Sequence, residues 1–285
     1  MLTPSDLAAR LGLRRSGRAW HGRCPACAYN AFNVRAGRLD RALLWCANGC
    51  AQHELRDAVR RLVGGHWTPP KQPDMWTEAE ARRRKQEAAL RLWRSSEPAP
   101  GTPVQAYGTA RGLPDLARSA ALRFRPDCPH PDGGRLPAMV ALVMDATGAP
   151  IAVHRTYLRR NGSGKADIER PKMFLGPVWG GAIRLDPLAP ELVIGEGIET
   201  SASAGRMLGL PAWSALSAGN LGNGLVLPSE VRSVMIAADP DESGQKAARE
   251  AWRRWTAEGR RVRIAMPNAA GDFNDVLRAQ GVAHA

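Results

Sequence analysis

Three acidic clusters in the C-terminal third of this chain each close a short apolar run. They are Glu191-Leu-Val-Ile-Gly-Glu-Gly-Ile-Glu-Thr200, Val234-Met-Ile-Ala-Ala-Asp-Pro-Asp241 and Asp272-Phe-Asn-Asp275. In an open α/β sheet, residues just past the carboxyl ends of the strands line the crevice where ligands bind, so Glu196, Asp239, Asp241 and, more weakly, Asp272 are expected to converge. Carboxylates crowded together repel one another unless cations hold them. Mg²⁺ or Mn²⁺ suits such a set, because hard divalent ions take carboxylate and phosphate oxygens and can clamp both oxygens of a phosphoryl transfer. The bland reading of Asp239 to Gly244 is a turn with a helix cap, for which Asp and Ser are ordinary choices.

Four of the five cysteines fall in the first fifty residues as Cys24-Pro-Ala-Cys27 and Cys46-Ala-Asn-Gly-Cys50, eighteen residues apart. Two close pairs at this spacing suit one structural zinc ion. At 285 residues the chain can bury a core without disulfide staples. It begins without a basic-then-apolar leader, which leaves the thiolates for metal. His21 and His53 flank the set and are the alternative ligands. Lone Cys128 reads as a bystander.

Gly and Pro mark the divisions of the chain. Residues 1–63 read as a zinc module opened by a helix from Pro4 to Leu11. Residues 64–76, rich in Gly and Pro, read as a linker. Thr77 to Ser95 is a strong helix former whose Arg82 to Lys85 cluster is a solvated face or a phosphate contact. Leu136–Met144 and Pro150–Leu158 alternate around Asp145-Ala-Thr-Gly148, the pattern of a β-hairpin. Residues 77–186 and 187–285 then form two halves of a larger core. In the second half a helix from Ser243 to about Thr256 should bury Ala247, Ala248, Ala251, Trp252 and Trp255 and turn Arg249, Arg253 and Arg254 outward. The expected fold class is α/β, α+β overall: a small zinc ribbon, then a core with a mostly parallel sheet flanked by helices.

The net charge of +13 is unevenly placed. Residues 1–97 carry 18 Lys and Arg against 9 Asp and Glu, residues 98–186 carry 12 against 7, and residues 187–285 carry 10 against 11. A polyanion would be held by the first two segments, leaving the acidic third for metal ions. Part of the excess reflects the preference for Arg over Lys. Trp20, Trp45 and Arg35 near the cysteines are candidates for stacking on bases, although each Trp suits the core of a small domain equally well. Gly162-Ser-Gly-Lys165 is not a Walker A loop, since Arg159 replaces the first Gly and Ala166 follows the Lys. No apolar stretch is long enough to span a bilayer, and a soluble, cytoplasmic protein without a membrane partner is expected.

A strand ending in Gly-Glu-Gly, then a strand ending in Asp-Pro-Asp with Ser243-Gly244 and an alanine-rich helix behind it, resembles the Toprim domain of topoisomerases, DnaG-type primases and some nucleases. The resemblance covers roughly residues 188–280. It implies that Glu196 is the Toprim glutamate and that Asp239 and Asp241 are the metal-binding pair, with Asp272 a weaker member from a tail motif of phage and plasmid primases. The cysteine region, from Gly22-Arg-Cys-Pro-Ala-Cys through Ala42-Leu-Leu-Trp-Cys46, resembles the zinc-binding domain of DnaG-type and phage primases. It departs in its second ligand, Cys27, and in the spacing of its last pair, which suggests a mobile-element or phage branch. The hairpin, Gly162–Lys165 and Pro171–Gly176 resemble the first half of a primase polymerase core, which implies that Arg155, Lys165 and Lys172 hold nucleotide or template.

The resemblance implies a DNA primase making short RNA primers from ribonucleoside triphosphates on single-stranded DNA for phage or plasmid replication, with a separate replicative helicase as partner. Rival readings are a metal-dependent Toprim nuclease and a non-catalytic replication adaptor that binds DNA and a helicase. A topoisomerase would need a nucleophilic tyrosine, and Tyr29, Tyr107 and Tyr157 all lie outside the Toprim segment.

Overall fold

The computed structural model describes residues 2–17, 19–37, 42–64, 75–267 and 271–283. Most of the linker expected at 64–76 lies outside them. The chain divides into two compact units, Met1–Glu78 and Ala79–Ala285.

In the first unit, helix α1 (Pro4–Arg10) starts at a reciprocal cap. The Thr3 hydroxyl accepts from the Asp6 N–H at 3.1 Å, and the Asp6 carboxylate accepts from the Thr3 N–H at 3.1 Å. This satisfies two amides that the helix itself leaves free. Strands β1 (Arg14–Ser16), β2 (Ala19–Gly22), β3 (Phe32–Ala36) and β4 (Ala42–Cys46) follow as an antiparallel meander in chain order, and helix α2 (Gln52–Val63) closes the unit. Alternation along β4 buries Ala42, Leu44 and Cys46 and exposes Leu43 and Trp45. The inner face packs Phe32, Val34 and Leu44 against Leu7, Leu55 and Val59.

Helix α3 (Met75–Arg94) begins four residues before the division and runs into the second unit, which holds two five-stranded sheets. The antiparallel sheet has the order β5 (Glu97–Pro98), β6 (Leu122–Pro129), β7 (Arg135–Met144), β8 (Pro150–Tyr157), β9 (Lys172–Leu175), with α4 (Pro103–Ala110) inserted after β5. Strands β7 and β8 form the expected hairpin. The other sheet has the order β10 (Ile183–Arg184), β12 (Ala212–Ser214), β11 (Glu191–Gly195), β13 (Ser233–Ala237), β14 (Arg261–Ala265), parallel except for β10. Helix α5 (Ile198–Leu208) links β11 to β12, α6 (Glu242–Ala257) links β13 to β14, and α7 (Phe273–Ala283) follows. Strands β12 and β13 lie on opposite sides of β11. Right-handed crossovers therefore place α5 and α6 on opposite faces and make the carboxyl ends of β11 and β13 a switch point.

The two sheets are not separate bodies. Met144 and Ala182 exchange both backbone hydrogen bonds at 2.9 Å, and one core runs from Tyr107 and Met139 to Val193, Ile198 and Phe273. Strand β10 joins the parallel sheet although its sequence precedes residue 187.

Helix α6 corrects the expected face at two positions. Trp252 is 42% exposed, whereas the Arg254 guanidinium turns inward and donates to the carbonyls of Gly222 and Leu225 at 3.2 and 2.7 Å. Both residues flank the buried face. The helical turn Asn220–Gly224 packs on α6 and, with Leu225 after it, supplies the carbonyls that Arg254 meets. Among the described residues, no helix is long and apolar enough to cross a membrane.

Candidate active site and metal centre

In the first unit, Cys24 and Cys27 lie in the turn after β2, Cys46 ends β4, and Cys50 precedes α2. Their four Sγ atoms lie within 4.8 Å of one another, with Cys24 to Cys50 at 3.9 Å and Cys27 to Cys46 at 3.8 Å. Tetrahedral zinc with bonds of about 2.3 Å requires sulfur separations of about 3.8 Å, so the donor set fits one Zn²⁺. His53 is exposed on α2 outside this set. Of the two tryptophans, Trp20 packs on the core beside Val34, whereas Trp45 is 55% exposed with Arg35 on the same open face. Cys128 is buried against Ala138 and Tyr157, and burial pushes its thiol pKa up, as for an unreactive thiol.

In the second unit, the chain leaves β11 directly into Glu196 and leaves β13 through Ala238 into Asp239. Asp241 caps α6, accepting from the Gly244 N–H at 2.6 Å. A Cβ on Gly244 would stand 2.7 Å from the Asp239 carbonyl oxygen, so only glycine lets the helix start this close to the strand end. Asp272 accepts from the N–H groups of Asn274 and Asp275 at 2.8 and 2.9 Å and so caps α7. Asn274, 1% exposed, holds that helix end by donating to the Arg111 carbonyl at 2.8 Å and the Ser203 hydroxyl at 3.0 Å.

A cavity of about 330 Å³ takes its acidic wall from Glu196, Asp239 and Asp272 and its basic wall from Lys165, Lys172 and Arg111. Burial, then the charges of Asp239 and Asp241, raises the Glu196 pKa to about 7. Burial raises Asp239 as well, and Asp272 and Asp241 add to the shift against a hydrogen bond from Thr200 at 3.2 Å. Asp241 is not on the cavity wall but acts on both neighbours through its charge. Partly buried carboxylates that repel one another fit a hard divalent cation.

The Glu196 shift predicts a pH signature. In the folded chain Glu196 holds its proton to about pH 7, whereas an unfolded Glu releases it near the ordinary 4.5. The folded state therefore binds more protons between these values, and stability contributed here is present below 4.5 and lost as pH rises through 7. Without divalent metal, Glu196→Gln is expected to stabilise the chain by about 1–3 kcal/mol at pH 8 and by nothing at pH 4. Thermal melts at both pH values check this, and Mg²⁺ should raise the wild-type melting temperature at pH 8 but not that of the variant.

Arg155 does not reach the cavity. It is buried on β8, donating to the carbonyls of Pro129 at 3.0 Å and Phe174 at 3.1 Å. Its neighbour His154 faces the other way, as alternation requires, and lines the cavity. Burial, then Lys172, lowers the His154 pKa to about 3, so the imidazole stays neutral, and its Nδ1 has no hydrogen-bond partner among the described residues. Glu199, absent from the expected set, is 6% exposed and pairs with Lys165 at 3.0 Å and Lys172 at 3.5 Å. Burial alone would raise its pKa. Lys172, Lys165 and the Tyr107 hydroxyl together hold it well below the usual carboxylate range.

Residues 191–283 match the Toprim domain family, and residues 83–185 match a domain of unknown function, DUF7146. Among solved structures, the chain is similar to the zinc-binding and RNA polymerase domains of the Aquifex aeolicus primase, at 14% identity and a TM-score of 0.47, over 100% of this chain and 84% of that one. It is similar to the primase fragment of the bacteriophage T7 primase-helicase protein, at 14% identity and a TM-score of 0.46, over 93% and 96%. A DNA primase domain from Pseudomonas aeruginosa aligns at 18% identity and a TM-score of 0.46, over 69% and 75%. No curated protein matches the chain. The Toprim resemblance read from the strand ends is thus met by a family match over the same stretch, and the fold is the mixed α/β architecture expected.

Proposed function

We propose that this chain is a DNA primase, a nucleotidyltransferase that joins ribonucleoside triphosphates into short primers on single-stranded DNA in phage or plasmid replication. One observation carries the reading: Glu196, Asp239 and Asp272 of the Toprim segment line a single cavity together with Lys165 and Lys172 from the preceding segment. Acid on one wall and ammonium on the other is the arrangement a nucleotide triphosphate and its metal require. Glu196, Asp239 and Asp241, with Asp272 as the weaker fourth, would hold Mg²⁺. The bound ion would supply a lowered pKa for the primer 3′ hydroxyl and charge neutralisation on the leaving pyrophosphate.

The remaining work belongs to the side chains. Lys165 and Lys172 bind and orient the triphosphate oxygens. The Thr200 hydroxyl donates to one oxygen of Asp239, which lines the cavity. His154 offers a neutral imidazole beside Lys172. Arg155 has no place in this step, because its guanidinium serves backbone carbonyls.

The module at residues 1–63 would hold one zinc ion through Cys24, Cys27, Cys46 and Cys50, and would present Trp45 and Arg35 on an open sheet face for stacking and phosphate contact with the template. A separate helicase would deliver that template as single strand.

The test is incorporation of labelled ribonucleotides on single-stranded DNA of mixed sequence with Mg²⁺. Short products that require template, nucleotides and Mg²⁺ together are expected. Metal-dependent cutting of DNA without nucleotides would instead identify a nuclease. Salt-sensitive DNA binding that ignores Mg²⁺, with no product, would identify an adaptor.

A further inference from the structure

We infer that Glu199 is a positioning residue that fixes Lys165 and Lys172 so that their remaining donors meet the phosphates of a nucleoside triphosphate. The inference rests on the polymerase reading above and deepens it. Glu199 stands in the first turn of α5, three residues past Glu196, and its carboxylate is nearly inaccessible to solvent. The two lysines reach it from different stretches of chain. Lys165 lies in the loop after β8, where it bridges to Leu158, and Lys172 opens β9. Among the described residues, Glu199 is the acid that both ammonium groups pair with.

A lysine ammonium carries three donors and a flexible four-carbon stem. One donor from each lysine is spent on Glu199, and both side chains remain partly exposed on the cavity wall. The carboxylate itself cannot swing away. The Tyr107 hydroxyl, fully buried on α4, donates to it from behind, and the Arg111 guanidinium covers the Tyr107 ring at 5.5 Å. The unit thus holds two positive heads at a fixed spacing around one negative anchor, with one net positive charge facing the cavity. Without the anchor, the two ammonium groups would repel each other and lose their common orientation.

The opposite role is also chemically coherent. If Glu199 merely occupied the lysines in competition with phosphate, its removal would tighten nucleotide binding. The anchoring by Tyr107 argues for positioning, and the two roles differ in sign.

The experiment measures ATP binding to the full chain by calorimetry with Mg²⁺, together with KM and kcat for ATP in primer synthesis. Glu199→Gln is expected to weaken ATP binding about tenfold and to raise KM by a similar factor, with kcat changed by no more than about threefold. Glu199→Asp, which keeps the charge, should restore part of the affinity. Tyr107→Phe removes only the oxygen behind the carboxylate and should shift the dissociation constant in the same direction by a smaller factor, about threefold. It carries the test if Glu199→Gln does not fold. Unchanged or tighter ATP binding in Glu199→Gln, or in Tyr107→Phe where that variant stands in, overturns the positioning role and leaves the polymerase reading intact. Failure of the wild type to bind ATP at all overturns both.

Discussion

Asp239→Asn is expected to reduce ribonucleotide incorporation by roughly a thousandfold or more, because it removes one negative charge from the set that would hold the catalytic cation. The substitution is nearly isosteric. An Asn side-chain oxygen can still accept from the Thr200 hydroxyl, which now donates to Asp239 at 3.2 Å. Nothing in the packing of β13 or the start of α6 has to move. Burial and the neighbouring Asp272 and Asp241 already hold the Asp239 pKa above its ordinary value, so the charged form is strained when no cation is present. The variant should therefore melt at or above the wild-type temperature in metal-free buffer while losing activity. That opposition separates a metal ligand from a structural carboxylate. Single-stranded DNA binding should persist, since the basic excess lies in residues 1–186. Retained synthesis in Asp239→Asn would sink the assignment of the acidic cluster.

Why some of this site could be read from the chain and some could not follows from the kind of signal each residue carries. Glu196 and Asp239 follow short apolar strands, and strand ends in a parallel sheet have a known place, so their convergence is predictable from order along the chain. The cysteine pairs are equally local, since each pair brackets one tight turn. Side chains on strands buried on both faces carry no such signal. Strand β8 is almost continuously buried, and nothing in its alternation says which face looks toward the parallel sheet. The resemblance points to Arg155, but the face that meets the cavity carries His154.

Glu199 was hidden for a different reason. An acid in the first turn of a helix is commonly there to complement the helix dipole. Only the approach of Lys165, Lys172 and Tyr107 from distant stretches distinguishes it from that ordinary use. Trp252 and Arg254 show the same limit on α6, where periodicity finds the centre of the buried face but not which flank a neighbouring turn will cover. Domain division is limited likewise, because the core that joins the two sheets of the second unit depends on contacts between residues far apart in sequence.

Cys46→Ser is expected to abolish zinc binding and unfold the first unit while residues 79–285 keep their structure. The first unit has a small core, built around Leu7, Phe32, Val34, Leu44, Leu55 and Val59, in a unit of fewer than eighty residues. Domains of that size have little hydrophobic surplus over chain entropy, and a structural zinc ion contributes on the order of 10 kcal/mol in such cases. Cys46 is both ligand and core, 2% exposed at the end of β4 and paired across the sheet with Phe32. A hydroxyl there loses the metal bond and leaves a polar group in the interior. The second unit has its own core and a separate set of strands, so the damage should not spread through packing. Zinc analysis and limited proteolysis together check this: the metal content should fall from one ion per chain to none, with rapid cleavage within residues 2–64 and a protected fragment from the second unit. Cys128→Ser serves as the contrast, because that thiol lies among Ala138 and Tyr157 in the second unit and is not one of the four clustered cysteines, and should leave the zinc content unchanged. Zinc retained at one ion per chain in Cys46→Ser would mean that a group outside the four cysteines completes the site, and His53, which lines the same shallow cleft as Cys27 and Cys50, is the residue to replace next.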